Sequence, residues 1–388
     1  MKILLAHTSY QQPGGEDAVF QAEKELLELN GHTIIPYQRS NHESGAASDA
    51  IWSQKTYREL QALIRRTNPR LAHFHNTFLA ISPSAYHACH DAGVPVIQTL
   101  HNFRLICPGA LLLRNGKPCE DCIKQKLPWP GVLHACWRGS RTGSALTAAL
   151  IGFHHATGTW HNKVDRYIAL SEFSRQKFIM AGFAASKIVV KPNFSADPGI
   201  EQRTDGEYAL FVGRLSQEKG LNILLTAWQN LPDIPLKIVG NGPLLRNIQE
   251  TMKKNQLNQV ELLGKLERDS VLKIMKKARY LIIPSICYEN LPLTLVEAFS
   301  LGLPVIATGL GSLENLVSNR HTGLHFRAGE TQDLANKCTW LWQNPQEAKR
   351  MGQNARYEYE EKYTPQENYR QLMAIYHQVL EESHSRSI

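Results

Sequence analysis

Short apolar runs alternate with longer segments whose apolar residues recur at helical spacing. Lys2–Ala6, Thr33–Pro36, Leu71–Phe74 and Val94–Leu100 read as buried strands. Ala18–Leu29, Arg58–Arg66 and Ala85–Ala92 read as helices, the first closed by Gly31-His32. Residues 107–143, rich in Cys, Pro, Gly and Trp, break this rhythm. It resumes with a strand at Tyr167–Leu170, a helix from about Ser174 to Ala181 and a strand at Ile188–Lys191. The polar stretch 195–206 reads as a linker.

A second alternation follows, with strands at Tyr208–Val212, Leu236–Val239, Val260–Leu263, Leu281–Pro284 and Val305–Thr308. Helices are predicted near 219–230, 244–254, 269–277 and 293–301. After Leu334–Trp342 the chain reads as helical and charged, punctuated by Pro345 and Pro365. A final amphipathic helix at Tyr369–Leu380 is expected to pack across the domain boundary, and 381–388 to fray. Regular β–α alternation predicts two doubly wound, Rossmann-like domains, and such sheets bind ligands beyond the carboxyl ends of their strands. Two of them facing one another would make a cleft with room for two substrates.

Composition narrows the classes. The 388 residues suit two domains, and 43 % apolar content suits packed cores. The formal charge of +8 favours anionic partners, but without an arginine-rich block or basic–aromatic interleaving nucleic acid is not expected. The N-terminal run turns polar too soon for a signal peptide, and no run reaches the ~20 apolar residues of a membrane span. A cytoplasmic protein is expected, with peripheral contact at an anionic membrane face open to it. Seven cysteines argue against a disulfide framework.

The candidate chemistry concentrates in the second domain. Gly213, Arg214 and Lys219 follow a strand and open a helix, where backbone N–H groups and two cations suit a diphosphate. Gly240-Asn-Gly-Pro243 repeats the strand–glycine loop–helix order. In Glu289-Asn-Leu-Pro-Leu-Thr-Leu-Val-Glu297, Pro292 starts a helix between two carboxylates. One carboxylate can accept from sugar hydroxyls and the other from a ribose diol, while the N–H groups near Leu293 and Thr294 face phosphate. In the first domain, Gly14 and Gly15 permit close backbone approach, Glu16 opens a helix, and His101 ends an apolar strand with Asn102 and Arg104 beside it. Ser171 reads first as a helix cap.

These ordered motifs resemble glycosyltransferase family 4. They are Pro13-Gly-Gly15, Thr99-Leu-His101, Ser171-Glu-Phe-Ser174, Lys191-Pro-Asn193, Gly213-Arg214 with Lys219, and the E-x7-E pair Glu289/Glu297. The resemblance implies a GT-B fold and retaining transfer from a nucleoside diphosphate sugar, a hexose first, to a glycan, lipid-linked or small-molecule acceptor. It implies donor-sugar contact by Glu289 and His101, ribose binding by Glu297, and diphosphate binding by Arg214 and Lys219. Backbone near Gly264 and Lys265 would edge the nucleobase, Gly15, Gly213 and Gly240 would line the donor, and Glu16, Asn102 and Arg104 would lie on the acceptor side. The domains are then 1–194 for the acceptor, 207–364 for the nucleotide sugar, and 365–388 returning to the first. No catalytic metal is expected. The alternative is an inactive module that binds a nucleotide sugar or nucleic acid.

Cys107, Cys119, Cys122 and Cys136 lie inside the 107–143 insertion as C-x11-C-x2-C-x13-C. Four thiolates can hold a structural zinc, with His134 as a substitute ligand; buried or redox-active thiols are the other readings. The neighbouring Trp129 and Trp137 can shape an acceptor pocket or simply pack a compact lobe.

Overall fold

The computed structural model describes residues 1–9, 14–41, 47–199 and 206–385. Pro13 of the first glycine motif, residues 200–205 of the expected linker and the last three residues of the tail lie outside that set. The chain divides into two compact units, Met1–Leu112 with Cys119–Pro192 and Gln366–Ile388, and Leu113–Pro118 with Asn193–Pro365.

In chain order the first strands are β1 (Lys2–Ser9), β2 (Thr33–Ser40), β3 (Leu71–Asn76) and β4 (Val96–Leu100). Next come β5 (Leu113–Arg114) and β6 (Lys117–Pro118), a small antiparallel hairpin, then β7 (Arg166–Ala169) and β8 (Ile188–Val190). The first sheet has the order β2-β1-β3-β4-β7-β8, all parallel. Its central strands are buried along their whole length, as helices on both faces require. β2 runs four residues past the expected Pro36. It lies at the sheet edge, where the missing proline N–H breaks no ladder.

The first helix begins at Gly15, three residues before its apolar periodicity starts. Asp17 explains this: its Oδ2 accepts from Gly14 N at 2.7 Å and its Oδ1 from His7 Nε2 at 3.0 Å, which ties the helix start to β1. Ser171 caps the helix Glu172–Met180, its Oγ accepting from Ser174 N at 3.1 Å. The irregular insertion holds the hairpin and a short helix, Trp129–Leu133. It gives way at Arg141 to a helix running to Ala156, capped by Ser140 and absent from the sequence reading.

The helix Pro365–Ser385 completes the first unit. Its Leu372, Ile375, Tyr376, Val379 and Leu380 pack with Ile3, Leu27, Leu71, Ile97 and Ile168 from the helix Gly15–Leu29 and the sheet. Each fully buried aliphatic side chain there contributes about 1.5–3 kcal/mol.

The second unit carries β9 (Tyr208–Val212), β10 (Leu236–Val239), β11 (Val260–Gly264), β12 (Ala278–Ile283), β13 (Val305–Thr308) and β14 (Gly323–Phe326). Their order is β11-β10-β9-β12-β13-β14, again all parallel. β14 escaped the sequence reading because it starts at glycine and His325 interrupts its apolar residues. That glycine is required, since a Cβ on Gly323 would sit 1.9 Å from the Val305 carbonyl oxygen.

Each unit is therefore a doubly wound α/β domain, with a switch point between β1 and β3 in the first and between β9 and β12 in the second. Among the described residues, no helix is long and apolar enough to cross a membrane.

Candidate functional site

In the second unit, three strand ends are stitched together by backbone hydrogen bonds. Gly213 N donates to Val239 O at 3.0 Å, Gly240 N to Gly264 O at 2.8 Å, and Leu215 N to Asn241 O at 3.0 Å. This closeness depends on glycine. A Cβ on Gly240, whose φ is +146°, would fall 1.9 Å from Gly213 O. Gly213, Gly240 and Gly264 thus form one ledge beyond the carboxyl ends of β9, β10 and β11.

The switch point itself is bridged by charge. Gly220, at φ +71°, lets the loop after β9 press on the end of β12, where any Cβ would meet Pro284 O at 1.9 Å. Ile286 N donates to Glu218 O at 2.9 Å across the same seam. Lys219 Nζ is thereby placed 2.6 Å from Glu289 Oε1, which also accepts from Ser285 Oγ at 2.5 Å. Burial opposes the ammonium charge of Lys219, but Glu289 beside it dominates and raises its pKa.

Glu297 lies one turn inside the helix Leu293–Ser300, whose first residues Leu293 and Thr294 stay partly exposed. Its side chain is buried, and Oε1 accepts from Arg268 Nε at 3.1 Å; Arg268 Nη2 donates in turn to Ser195 Oγ at 3.0 Å. Burial raises the Glu297 pKa, with Arg268 pulling against it. Arg268 and Ser285 were not anticipated. A surface arginine opening a helix carries no pattern that separates it from its neighbours. Arg214 and Lys265 stand exposed at the same strand ends.

The first unit gathers a different set. Glu16, second residue of its helix, accepts from Asn102 Nδ2 at 3.4 Å, and Asn102 Oδ1 accepts from Arg104 N at 2.9 Å. The Arg104 guanidinium lies 4.3 Å over the Phe78 ring. Glu16 Oε1 is fully shielded without a hydrogen-bond partner. Burial, helped by the neighbouring Asp17 charge, pushes its pKa up to about 8. Gly15 is exposed beside it.

His101 follows β4 and meets His75, at the end of β3, with Nε2 3.0 Å from His75 Nδ1. Beneath them Glu23, wholly buried, accepts from His75 Nε2 at 3.1 Å and holds Lys191 Nζ at 3.0 Å. His73 Nδ1 comes within 3.2 Å of the same carboxylate. Glu23, His73, His75 and Lys191 form a polar core that the sequence reading missed. Its trace was a His-x-His on a strand and a glutamate amid the apolar stripe of a helix.

Glu23, His73 and His75 have metal-ligand composition and converge within 4.8 Å, the single such trio among the described residues. The Lys191 ammonium supplies the positive charge there. No three of the four insertion cysteines converge at ligand spacing, and none of the seven cysteines is in a disulfide. Burial pushes the Cys122 thiol up to about 12, with Cys107, Cys136 and Cys119 adding to the effect.

The profile described as Glycosyltransferase Family 4 matches residues 23–194, and that described as Glycosyl transferases group 1 matches residues 194–358. An uncharacterized glycosyltransferase of Methanocaldococcus jannaschii is 31 % identical over 272 residues, spanning 70 % of this chain and 72 % of that one. The chain belongs to glycosyltransferase family 4.

The family 4 assignment agrees with the fold. The structure of Anabaena HepE in complex with UDP superimposes with a TM-score of 0.70 at 18 % identity, covering 97 % of this chain and 99 % of that one. The fold is GT-B. The phosphatidylinositol N-acetylglucosaminyltransferase gpi3 subunit of Schizosaccharomyces pombe is 23 % identical over 340 residues, 84 % of this chain and 69 % of that one. In this family 4 glycosyltransferase, Glu289 follows β12 and Glu297 lies one turn inside the next helix.

Proposed function

We propose that this glycosyltransferase takes a hexose from a nucleoside diphosphate sugar and transfers it with retention to a glycan or lipid-linked acceptor. The observation that carries this reading is the Lys219–Glu289 pair at the β9/β12 switch point, with Glu297 buried one turn inside the helix that follows. A diphosphate would draw Lys219 and Arg214 together with the N–H groups of Leu293 and Thr294. Glu289, freed from Lys219, then accepts from donor-sugar hydroxyls, and Glu297, oriented by Arg268, accepts from the ribose diol. His101 contacts the donor sugar, and Glu16, Asn102 and Arg104 serve the acceptor side.

In the reaction the bond from the anomeric carbon to the phosphate oxygen breaks as the acceptor oxygen bonds to the same face. The acceptor proton passes to the leaving phosphate. The UDP held by the Anabaena relative supports a nucleotide donor for this chain.

The direct test is a donor-by-acceptor screen with mass-resolved products, run beside Glu297→Ala. A sugar–acceptor product whose donor KM rises about tenfold in the variant supports the reading. A folded variant with unchanged donor KM and turnover removes the ribose role.

An anionic lipid surface fits the insertion lobe. Trp129 and Leu133, one turn apart on a short helix, are each 55 % exposed, and Leu127 beside them 53 %. Lys124, Lys126, Arg138 and Arg141 are exposed in the same lobe, so apolar anchors are flanked by cations. Co-sedimentation with phosphatidylglycerol vesicles should fall in Trp129→Ser/Leu133→Ser. Equal binding by parent and variant would discard the lobe as anchor.

A structural zinc in this lobe is supported by its four-cysteine donor set and by the influence of Cys107, Cys119 and Cys136 on the Cys122 thiol. Near-stoichiometric zinc after chelation supports it, and its absence makes the lobe a thiol-packed fold.

A further inference from the structure

We propose that Glu23 and His75 are positioning residues that hold His101 in the tautomer with hydrogen on Nε2. His101 then presents Nδ1 as an acceptor for a hydroxyl of the donor sugar. This deepens, and rests on, the reading that His101 contacts that sugar.

The relay follows from donor and acceptor accounting along one line of contacts. Glu23 is the fixed end. Burial disfavours its charge, but Lys191 and the two histidines around it hold its carboxyl well below the usual range. An ionised carboxylate only accepts. His75 Nε2, 3.1 Å from Glu23 Oε1, must therefore donate.

The second step needs His75 to be neutral. Burial lowers its basicity and outweighs the pull of Glu23. A neutral ring carrying hydrogen on Nε2 has a lone pair on Nδ1. His101 Nε2 lies 3.0 Å from that nitrogen, so it must be the donor of the pair. Ring geometry agrees: the planes differ by 23° with centroids 5.1 Å apart, which suits an in-plane N–H···N bond.

The third step fixes the outcome. Burial, followed by the adjacent His75 and His7, lowers the pKa of His101 far below that of a free histidine. A neutral His101 with hydrogen on Nε2 has an acceptor at Nδ1. The opposite tautomer would set two lone pairs against each other at 3.0 Å.

His73 reaches the same carboxylate but does not transmit a choice. Its Nδ1 lies 2.8 Å from the Tyr376 hydroxyl, and its Nε2 ends on Thr99 Oγ1 at 2.8 Å, a hydroxyl that can rotate and so passes no choice onward. Only the His75 branch ends on a second imidazole. Packing supports that branch, with the edge of His75 against Phe20 at 5.3 Å.

The test is nitrogen NMR of the full chain labelled with 15N-histidine, assigned by comparison with His75→Gln and His101→Gln. The expected spectrum shows His75 and His101 neutral at neutral pH, each with hydrogen on Nε2. His101 with hydrogen on Nδ1 overturns the relay.

Glu23→Gln alone would strand the Lys191 charge, so the functional variant is Glu23→Gln/Lys191→Met, which removes both buried charges together. It should remain folded, show mixed His101 tautomers, and lose about tenfold in kcat/KM for the donor, mostly through KM. A folded double variant with mixed tautomers and parental donor KM also overturns the relay.

His101→Ala separates this proposal from the reading beneath it. If its donor KM is unchanged, the sugar contact fails whatever the tautomer. If donor use falls while the parent carries hydrogen on Nδ1, the contact stands and the relay fails.

Discussion

The two units place polar groups around the same topological feature in opposite ways. At the β1/β3 switch point the groups are sealed: Glu23, His73, His75 and Lys191 are each 2 % exposed or less. At the β9/β12 switch point the carboxylates are covered but their cations are not, with side-chain exposure of 27 % for Lys219 and 45 % for Arg268. A sealed network sets hydrogen positions and then stays as it is. A carboxylate whose cation still reaches water can exchange that cation for a ligand. One sheet supplies orientation and the other supplies charge that can be redirected.

The largest expected effect comes from disabling the exchangeable side. Glu289→Gln keeps the shape and the contact with Ser285 but loses the charge that faces Lys219. Turnover should fall by roughly 10²–10³, with little change in thermal stability because Lys219 remains partly exposed. A variant that transfers sugar at the parental rate would erase the contrast between the units.

Acid should separate the units next. In the first unit, burial lowers the His73 pKa to about 3 and Lys191 holds Glu23 low. The unfolded chain then takes up protons that the folded unit refuses. Stability present above the ordinary histidine pKa of about 6.5 is lost as pH falls toward 3. Glu297 runs the other way: its raised pKa means that the folded unit holds its proton more tightly, so its contribution improves as pH falls. Hydrogen exchange at pH 4 against pH 7 should deprotect β3 more than β9. Equal deprotection would mean the buried cluster does not govern the acid response.

Glu16 sharpens this within the first unit. Its carboxyl, raised to about 8, costs stability as pH rises from about 4.5 through 8, because the unfolded chain ionises first. Glu16→Gln should gain roughly 2–4 kcal/mol near pH 8 and almost nothing near pH 4. A pH-independent difference would point to packing instead. The smallest effect is Tyr376→Phe, which removes one hydroxyl from His73 and should cost about 1 kcal/mol in denaturant unfolding. No loss would mean that this hydroxyl adds nothing to the hold of the last helix on the core.

Much of the architecture was legible because parallel sheets write themselves as apolar runs. β9, β10 and β13 begin and end where their apolar stretches do. Elements set by side-chain caps or glycine contacts were not. The start of the first helix depends on Asp17 bonding backward to Gly14, and β14 depends on Gly323 clearing a carbonyl.

The site divides similarly. Glu289, Glu297 and Lys219 stand at strand ends and helix starts, positions that topology marks in advance. Glu23 and His75 come together from a helix interior and a strand 52 residues apart. Arg268 and Glu297 meet from two helices 29 residues apart in the chain. No local spacing encodes such meetings.

The helix Pro365–Ser385 also has a consequence in time. It belongs to the first core, yet it is the last of the structure to be synthesised. At ~5–20 residues per second, the whole second unit emerges from the ribosome while the first waits, roughly ten to forty seconds, for the helix that covers Ile3, Leu71 and Ile97. Through that interval the nascent chain displays an apolar face that only this later helix will cover. The unit encoded later can thus finish its core before the one encoded first.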